Sequence, residues 1–77
     1  MSKELRILKK ILSGNSDANI RFDEVCFFLK KEGFIERISG SHHIFVKENA
    51  ASLINLQKDK DGKAKPYQIK QIRKLLK

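Results

Sequence analysis

The chain's two histidines, His42 and His43, are adjacent and directly follow Ser39-Gly40-Ser41. Imidazole, with an unperturbed pKa of about 6.5, is the side chain best suited to take up or deliver a proton near neutral pH, so proton-transfer chemistry is expected at this turn if anywhere. Neighbouring residues of a strand point to opposite faces, which favours one working histidine and one structural histidine over a side-by-side pair. His42 shares its parity with Ile44 and Val46, and His43 shares its parity with Phe45, so alternation alone leaves open which of the two faces solvent. Gly40 and Ser41 allow a phosphate to approach backbone N–H groups, with lysines nearby in space to hold its charge. The same residues also suit two ordinary strands joined by a tight turn.

Other chemistries have less support. His42 and His43 cannot readily point at one ion, and no Cys, Asp or Glu stands beside them at a recognised ligand spacing, so no metal is expected. Turn formation accounts for Ser39 and Ser41 at least as well as a nucleophilic role does. Gly-rich nucleotide fingerprints are absent, and no cofactor is expected. Cys26, the only cysteine, lies among Val25, Phe27, Phe28 and Leu29 and is expected to be a reduced core residue without an internal disulfide.

Seventy-seven residues suffice for one small domain with a modest core, so partners should lie across its surface. Seventeen Lys and Arg against nine Asp and Glu give a net charge of +8, which points to a polyanion or an acidic protein as partner. The charge is uneven: residues 57–77 carry eight basic and two acidic side chains, whereas residues 17–56 carry five basic and six acidic. A solvated, solubilising surface would look the same. No stretch approaches the roughly 20 apolar residues of a membrane span, and Met1-Ser2-Lys3-Glu4 is not followed by a signal-peptide core, so the expected location is the cytoplasm.

The elements that must position the histidines can be read from periodicity. Leu5, Leu8, Ile11 and Leu12 predict an amphipathic helix over residues 3–13, stopped by Gly14 in a left-handed cap. Turn formers fill residues 13–19, a linker between helices. A second helix is expected over Phe22–Glu32, with Asp23 and Glu24 at its start, Lys30 and Lys31 at its end, and Gly33 as its stop. Phe34–Ile38, His42–Lys47 and Ser52–Leu56 read as a three-stranded antiparallel meander with turns at Ser39-Gly40-Ser41 and Glu48-Asn49-Ala50. Residues 58–65 form a charged loop, and Pro66 opens a last helix whose apolar face holds Ile69, Ile72 and Leu76. Its wetter sides hold Lys70, Arg73, Lys74 and Lys77. Such an α+β chain buries one sheet face under helices and leaves the other open to a nucleic-acid backbone. Phe27, Phe28 and Phe34 read as core residues, and Tyr67 as a half-buried residue at a helix start that also suits base stacking.

The succession Lys31-Glu32-Gly33-Phe34, then Arg37-Ile38-Ser39-Gly40-Ser41-His42-His43-Ile44-Phe45, then Ile54-Asn55-Leu56-Gln57, then residues 62–73 with Lys65-Pro66-Tyr67-Gln68, resembles the HicA toxins over roughly residues 20–77. That resemblance implies a fold like the double-stranded RNA-binding domain, an mRNA interferase activity, and a HicB-like antitoxin that covers the active surface. It implies His42, directly after the Gly-Ser pair, as the working histidine, with His43 as the alternative carried one residue later by some members. Gly40, Ser41, Lys63, Lys65 and Lys70 would then hold RNA phosphates. Residues 1–19 become an extension to a core of residues 20–77 within one domain. A noncatalytic RNA-binding module using the same basic face is the main alternative.

Overall fold

The computed structural model describes residues 2–48 and 53–76. Helix α1 (Lys3–Ser13) starts where the Ser2 hydroxyl accepts the Leu5 N–H at 3.1 Å, and it ends at Gly14 with φ 74°. Its apolar stripe delivers Ile7 and Ile11 into the core, both fully buried. The linker is more ordered than its composition predicts, since a short 3-10 turn spans Asp17–Asn19. Helix α2 (Phe22–Lys31) begins with Glu24 accepting the Arg21 N–H at 3.2 Å and buries Phe22, Val25, Cys26, Phe28 and Leu29.

Strands β1 (Ile35–Ser39), β2 (His42–Val46) and β3 (Leu53–Gln57) form an antiparallel sheet in the order β1-β2-β3. The first begins at Ile35, one residue later than expected, because the Phe34 N–H is taken by the Leu29 carbonyl at 3.0 Å in the turn that closes α2. Ser39 pairs with His42, so the hairpin loop is the two residues Gly40-Ser41. Gly40 has φ 60°, and among the described residues only glycines have positive φ, which is the sign pattern of a type II′ turn. The expected turn at Glu48-Asn49-Ala50 lies mostly outside the described residues, as do Ser52 and Lys77.

The charged loop is built as a small hairpin. The Asp59 carboxylate accepts the N–H groups of Asp61 and Lys63 at 2.8 and 2.9 Å, and Lys58 bridges to Ala64. Helix α3 (Pro66–Leu76) follows, with Gln68 Oε1 accepting the Lys65 N–H at 3.3 Å, a reciprocal cap of the kind a glutamine at the third helical position provides. No helix among the described residues is long and apolar enough to cross a membrane.

Phe45, Ile54 and Leu56 on one sheet face join the buried residues of α1, α2 and α3 in one cluster. The opposite face carries three cross-strand rows: Ser39-His42-Gln57, Arg37-Ile44-Asn55 and Ile35-Val46-Leu53. Arg73 of α3 ties the amino-terminal segment to this frame. Its guanidinium donates to both carboxylate oxygens of Asp17, at 3.0 and 2.9 Å, and to the Ile11 carbonyl at 2.8 Å, supplying one of the orphan acceptors at the end of α1.

Because Ile11 is packed on all sides, α1 is part of the core and not an appendage. Ile11→Ala should lower unfolding stability by about 2–5 kcal/mol in urea titration. A loss below about 0.5 kcal/mol would show that α1 merely rests on a core complete without it.

Candidate active site

Phe45 is fully buried, and this decides the parity that the sequence left open. His43, two residues before it, points to the helix-covered face, and His42 points to the open face. The two imidazoles therefore have different surroundings and different partners.

His42 lies in the row Ser39-His42-Gln57, beside the turn. Its Nδ1 is 3.1 Å from Asn55 Oδ1, one row along on β3. A carboxamide oxygen only accepts, so Nδ1 carries the proton and donates, which leaves Nε2 as the free lone pair of the neutral ring. The first turns of α3 come up beside β3, and His42, Asn55, Gln57, Tyr67, Gln68 and Gln71 line a cleft of about 260 Å³. Gln57 Nε2 donates to the Ser41 hydroxyl at 3.2 Å, which ties the turn to the edge strand. Tyr67, expected to be half-buried, is 63% exposed, because Ile69 and Ile72 carry the burial of this helix.

His43 is held in place. Its Nδ1–H donates to Glu36 Oε2 at 2.7 Å, its ring meets Phe22 edge-on at 4.8 Å between centroids, and its side chain is 24% exposed. Glu36 also receives the Lys30 ammonium at 2.8 Å. That ammonium, and after it the His43 hydrogen bond, hold the Glu36 carboxyl below the usual glutamate range. The group lines a groove of about 580 Å³ with Phe22, Cys26 and Phe27.

Spacing along the chain gave no hint that Cys26, Glu36 and His43 meet, yet their ligand-type atoms lie within 4.8 Å of one another. The fold thus brings together three ligand types that are remote from one another in the chain. The cluster's chemistry is nevertheless poor for a cation: Glu36 is engaged by Lys30, and burial pushes the Cys26 thiol up to about 12, far from the thiolate a metal needs. The cluster is an ion-paired packing group that joins α2, β1 and β2.

Gly40 and Ser41 form the turn at the end of the histidine row. Lys63 and Lys65 flank the hairpin around Asp59, and Lys70 acts on Asp17, so these lysines surround the start of α3 without lining the His42 cleft. The sequence reading overlooked Arg37. It is exposed on the open face, diagonal to His42 across the β1–β2 pair. Counting by two back from Ser39 places it on that face, but only once the hairpin loop is known to have two residues. Asn55, Gln57, Gln68 and Gln71 join the site through the packing of β3 and α3, which no local motif encodes.

The Glu36 carboxylate stabilises the fold at and above the ordinary glutamate range, and that contribution disappears as pH falls through its lowered folded value. Glu36→Gln should cost about 1–2 kcal/mol at pH 7 in urea titration, reduced from a fully buried pair because Lys30 is half exposed, and it should flatten the acid limb of stability against pH. An unchanged acid limb in the variant would remove Glu36 from the account.

Comparison with curated proteins and with solved structures gives no significant match. Among protein families, the one described as HicA toxin of bacterial toxin-antitoxin matches residues 22–77. The match begins at the first residue of α2 and takes in the whole sheet and α3, so α1 and the 3-10 turn precede it. It spans well over half of the chain, which therefore belongs to the HicA toxin family.

Proposed function

We propose that this chain is an mRNA interferase toxin, a metal-independent endoribonuclease in which His42 transfers the proton. The observation that carries the proposal is the position of His42: on the open sheet face, with Nδ1 fixed by Asn55 and Nε2 free, in a chain of the HicA toxin family. The order helix, three antiparallel strands, helix over residues 22–76 supports a fold like the double-stranded RNA-binding domain. Residues 1–77 act as one domain, with α1 completing the core from outside the family match.

RNA brings its own nucleophile. Nε2 of His42 takes the proton of the 2′-OH as that oxygen attacks the adjacent phosphorus. The bond from phosphorus to the 5′-oxygen breaks, and the leaving oxygen takes a proton from water. The products are a 2′,3′-cyclic phosphate and a 5′-hydroxyl. Charge develops on the non-bridging oxygens at the transition state. Arg37, on the same face and diagonal to His42, supplies cationic stabilisation, with the Gly40-Ser41 backbone at the turn. Lys63, Lys65 and Lys70 hold flanking phosphates and set the register of the strand. A cytoplasmic location follows from mRNA as substrate. The row Ile35-Val46-Leu53, with Ile35 and Leu53 58% and 54% exposed, gives the active face an apolar third. A HicB-like antitoxin that covers this row would block His42 at the same time.

His43 is the alternative proton carrier, because a carboxylate orients its ring as in many acid–base pairs. The two assignments separate cleanly. With folding verified by circular dichroism, His42→Ala should lower cleavage of a labelled mRNA in EDTA by about 10²- to 10⁴-fold, and His43→Ala should mainly lower stability. If His42→Ala cuts like wild type and folded His43→Ala does not, the proton carrier is His43. If wild type binds RNA and cuts none, the chain is a noncatalytic RNA-binding module.

A further inference from the structure

The cleft around His42 differs from the surface around it. The chain is strongly basic, yet no lysine, arginine or carboxylate lines this cleft: besides His42 it is lined by Asn55, Gln57, Tyr67, Gln68 and Gln71. Neutral amides can also meet phosphate oxygens, but four carboxamides and a phenol gathered without a cation are the set that reads base edges and stacks on base faces.

Gln68 supplies the sharper observation. It is 1% exposed, and its Oε1 is occupied by the Lys65 N–H in the cap of α3. Its Nε2 has no hydrogen-bond partner among the described residues. No fully buried side-chain nitrogen or oxygen there lacks a partner, so Nε2 must lie within the small part of Gln68 that meets solvent, at the cleft it lines. A nearly buried amide donor, held by its own oxygen and open only to a cleft, is left to an acceptor from outside the chain, a water or a bound group. Gln57 offers the complementary group, since its Nε2 is spent on Ser41 and its Oε1 remains. Tyr67, exposed at the rim, provides an aromatic face.

We infer that this cleft binds one unpaired nucleobase of the RNA, next to the phosphate that His42 addresses. The inference rests on the RNA-directed reading above and adds that the substrate is single-stranded at the cut. A base paired in an A-form duplex cannot leave its stack to enter a cleft of this kind without unpairing. Gln57, Gln68 and Gln71 of the cleft lining contact its edge, and Tyr67 covers its face. Asn55 is a positioning residue that acts through His42.

The test uses binding, so that it reads the cleft separately from catalysis. Affinities of wild type and of Tyr67→Ala are measured by fluorescence anisotropy for a short single-stranded RNA with 2′-fluoro sugars, which lacks the nucleophile, and for a series in which each nucleotide in turn is abasic. One abasic position should weaken wild-type binding roughly 5- to 100-fold, the range that loss of one stacked base gives. Tyr67→Ala should show the same weakening on the parent RNA and little further loss on that abasic RNA. Gln71→Ala, at an exposed position, serves as a second folded variant and should weaken the parent RNA but not the abasic one. Equal affinity across the abasic series, or Tyr67→Ala binding like wild type, overturns the inference. RNA cleavage is scored in parallel on the 2′-hydroxyl forms of the same oligonucleotides. Base-dependent binding without cleavage would sink the nuclease reading and leave the cleft assignment standing, and cleavage with base-independent binding would do the reverse.

Discussion

Burial of Phe45 in the central strand is the constraint on which the arrangement of this protein depends. β2 is hydrogen-bonded on both sides, and Phe45, Ile54 and Leu56 form the floor of the core. A one-residue slip of β2 would turn every side chain to the other face, placing Phe45 in solvent and His42 among apolar side chains. Hydrophobic packing thus sets which histidine is available for chemistry, before any hydrogen bond of the site is considered. The type II′ turn at Gly40-Ser41 matches this register and brings Ser39, His42 and Gln57 into one row at the edge of the open face.

Two residues of identical chemistry are separated by their partners. His43 receives a carboxylate, an aromatic edge and a groove wall, and so becomes part of the link between α2 and the sheet. His42 receives only a neutral amide oxygen, which selects its tautomer and leaves the second nitrogen open to the cleft. The cations follow a similar division. Lysines surround the start of α3 and Arg37 lies on the open sheet face, while the cleft between these regions is neutral. A basic surface with one uncharged cleft fits the proposed division in which phosphates give affinity and bases give selection.

Much of the fold was legible in the sequence because its signals are local. Gly14 and Gly33 stop the first two helices, Pro66 starts the last, and the dipole-matched charges of α2 mark its ends. The site was only half legible. Ile44 and Val46 are as apolar as Phe45, so the two faces of β2 look alike until the helices choose one. The density of lysine near the carboxyl end locates the basic region but says nothing of Arg37, a lone residue whose place on the open face comes from strand alternation. The Cys26-Glu36-His43 cluster and the amides of the cleft are assembled from different elements, and no spacing rule along the chain reaches them. The 3-10 turn and the order of the linker come from Asp17 being held by Arg73, two residues far apart in the chain.

The amino-terminal helix fits the same logic. Ile7 and Ile11 fill core volume above α2 and α3, and Arg73 fastens the end of α1, so the segment that precedes the family match contributes to the frame that orients the sheet. The central claim is chemical: RNA supplies the nucleophile, and one imidazole on the open face moves the proton. Its most direct test is to identify the ends left on a short RNA cut by the wild-type protein in EDTA, beside the same RNA with 2′-deoxy at the cut position. The account predicts a 2′,3′-cyclic phosphate and a 5′-hydroxyl, with the deoxy substrate intact. A 5′-phosphate and 3′-hydroxyl, or equal cutting of the deoxy substrate, would contradict it.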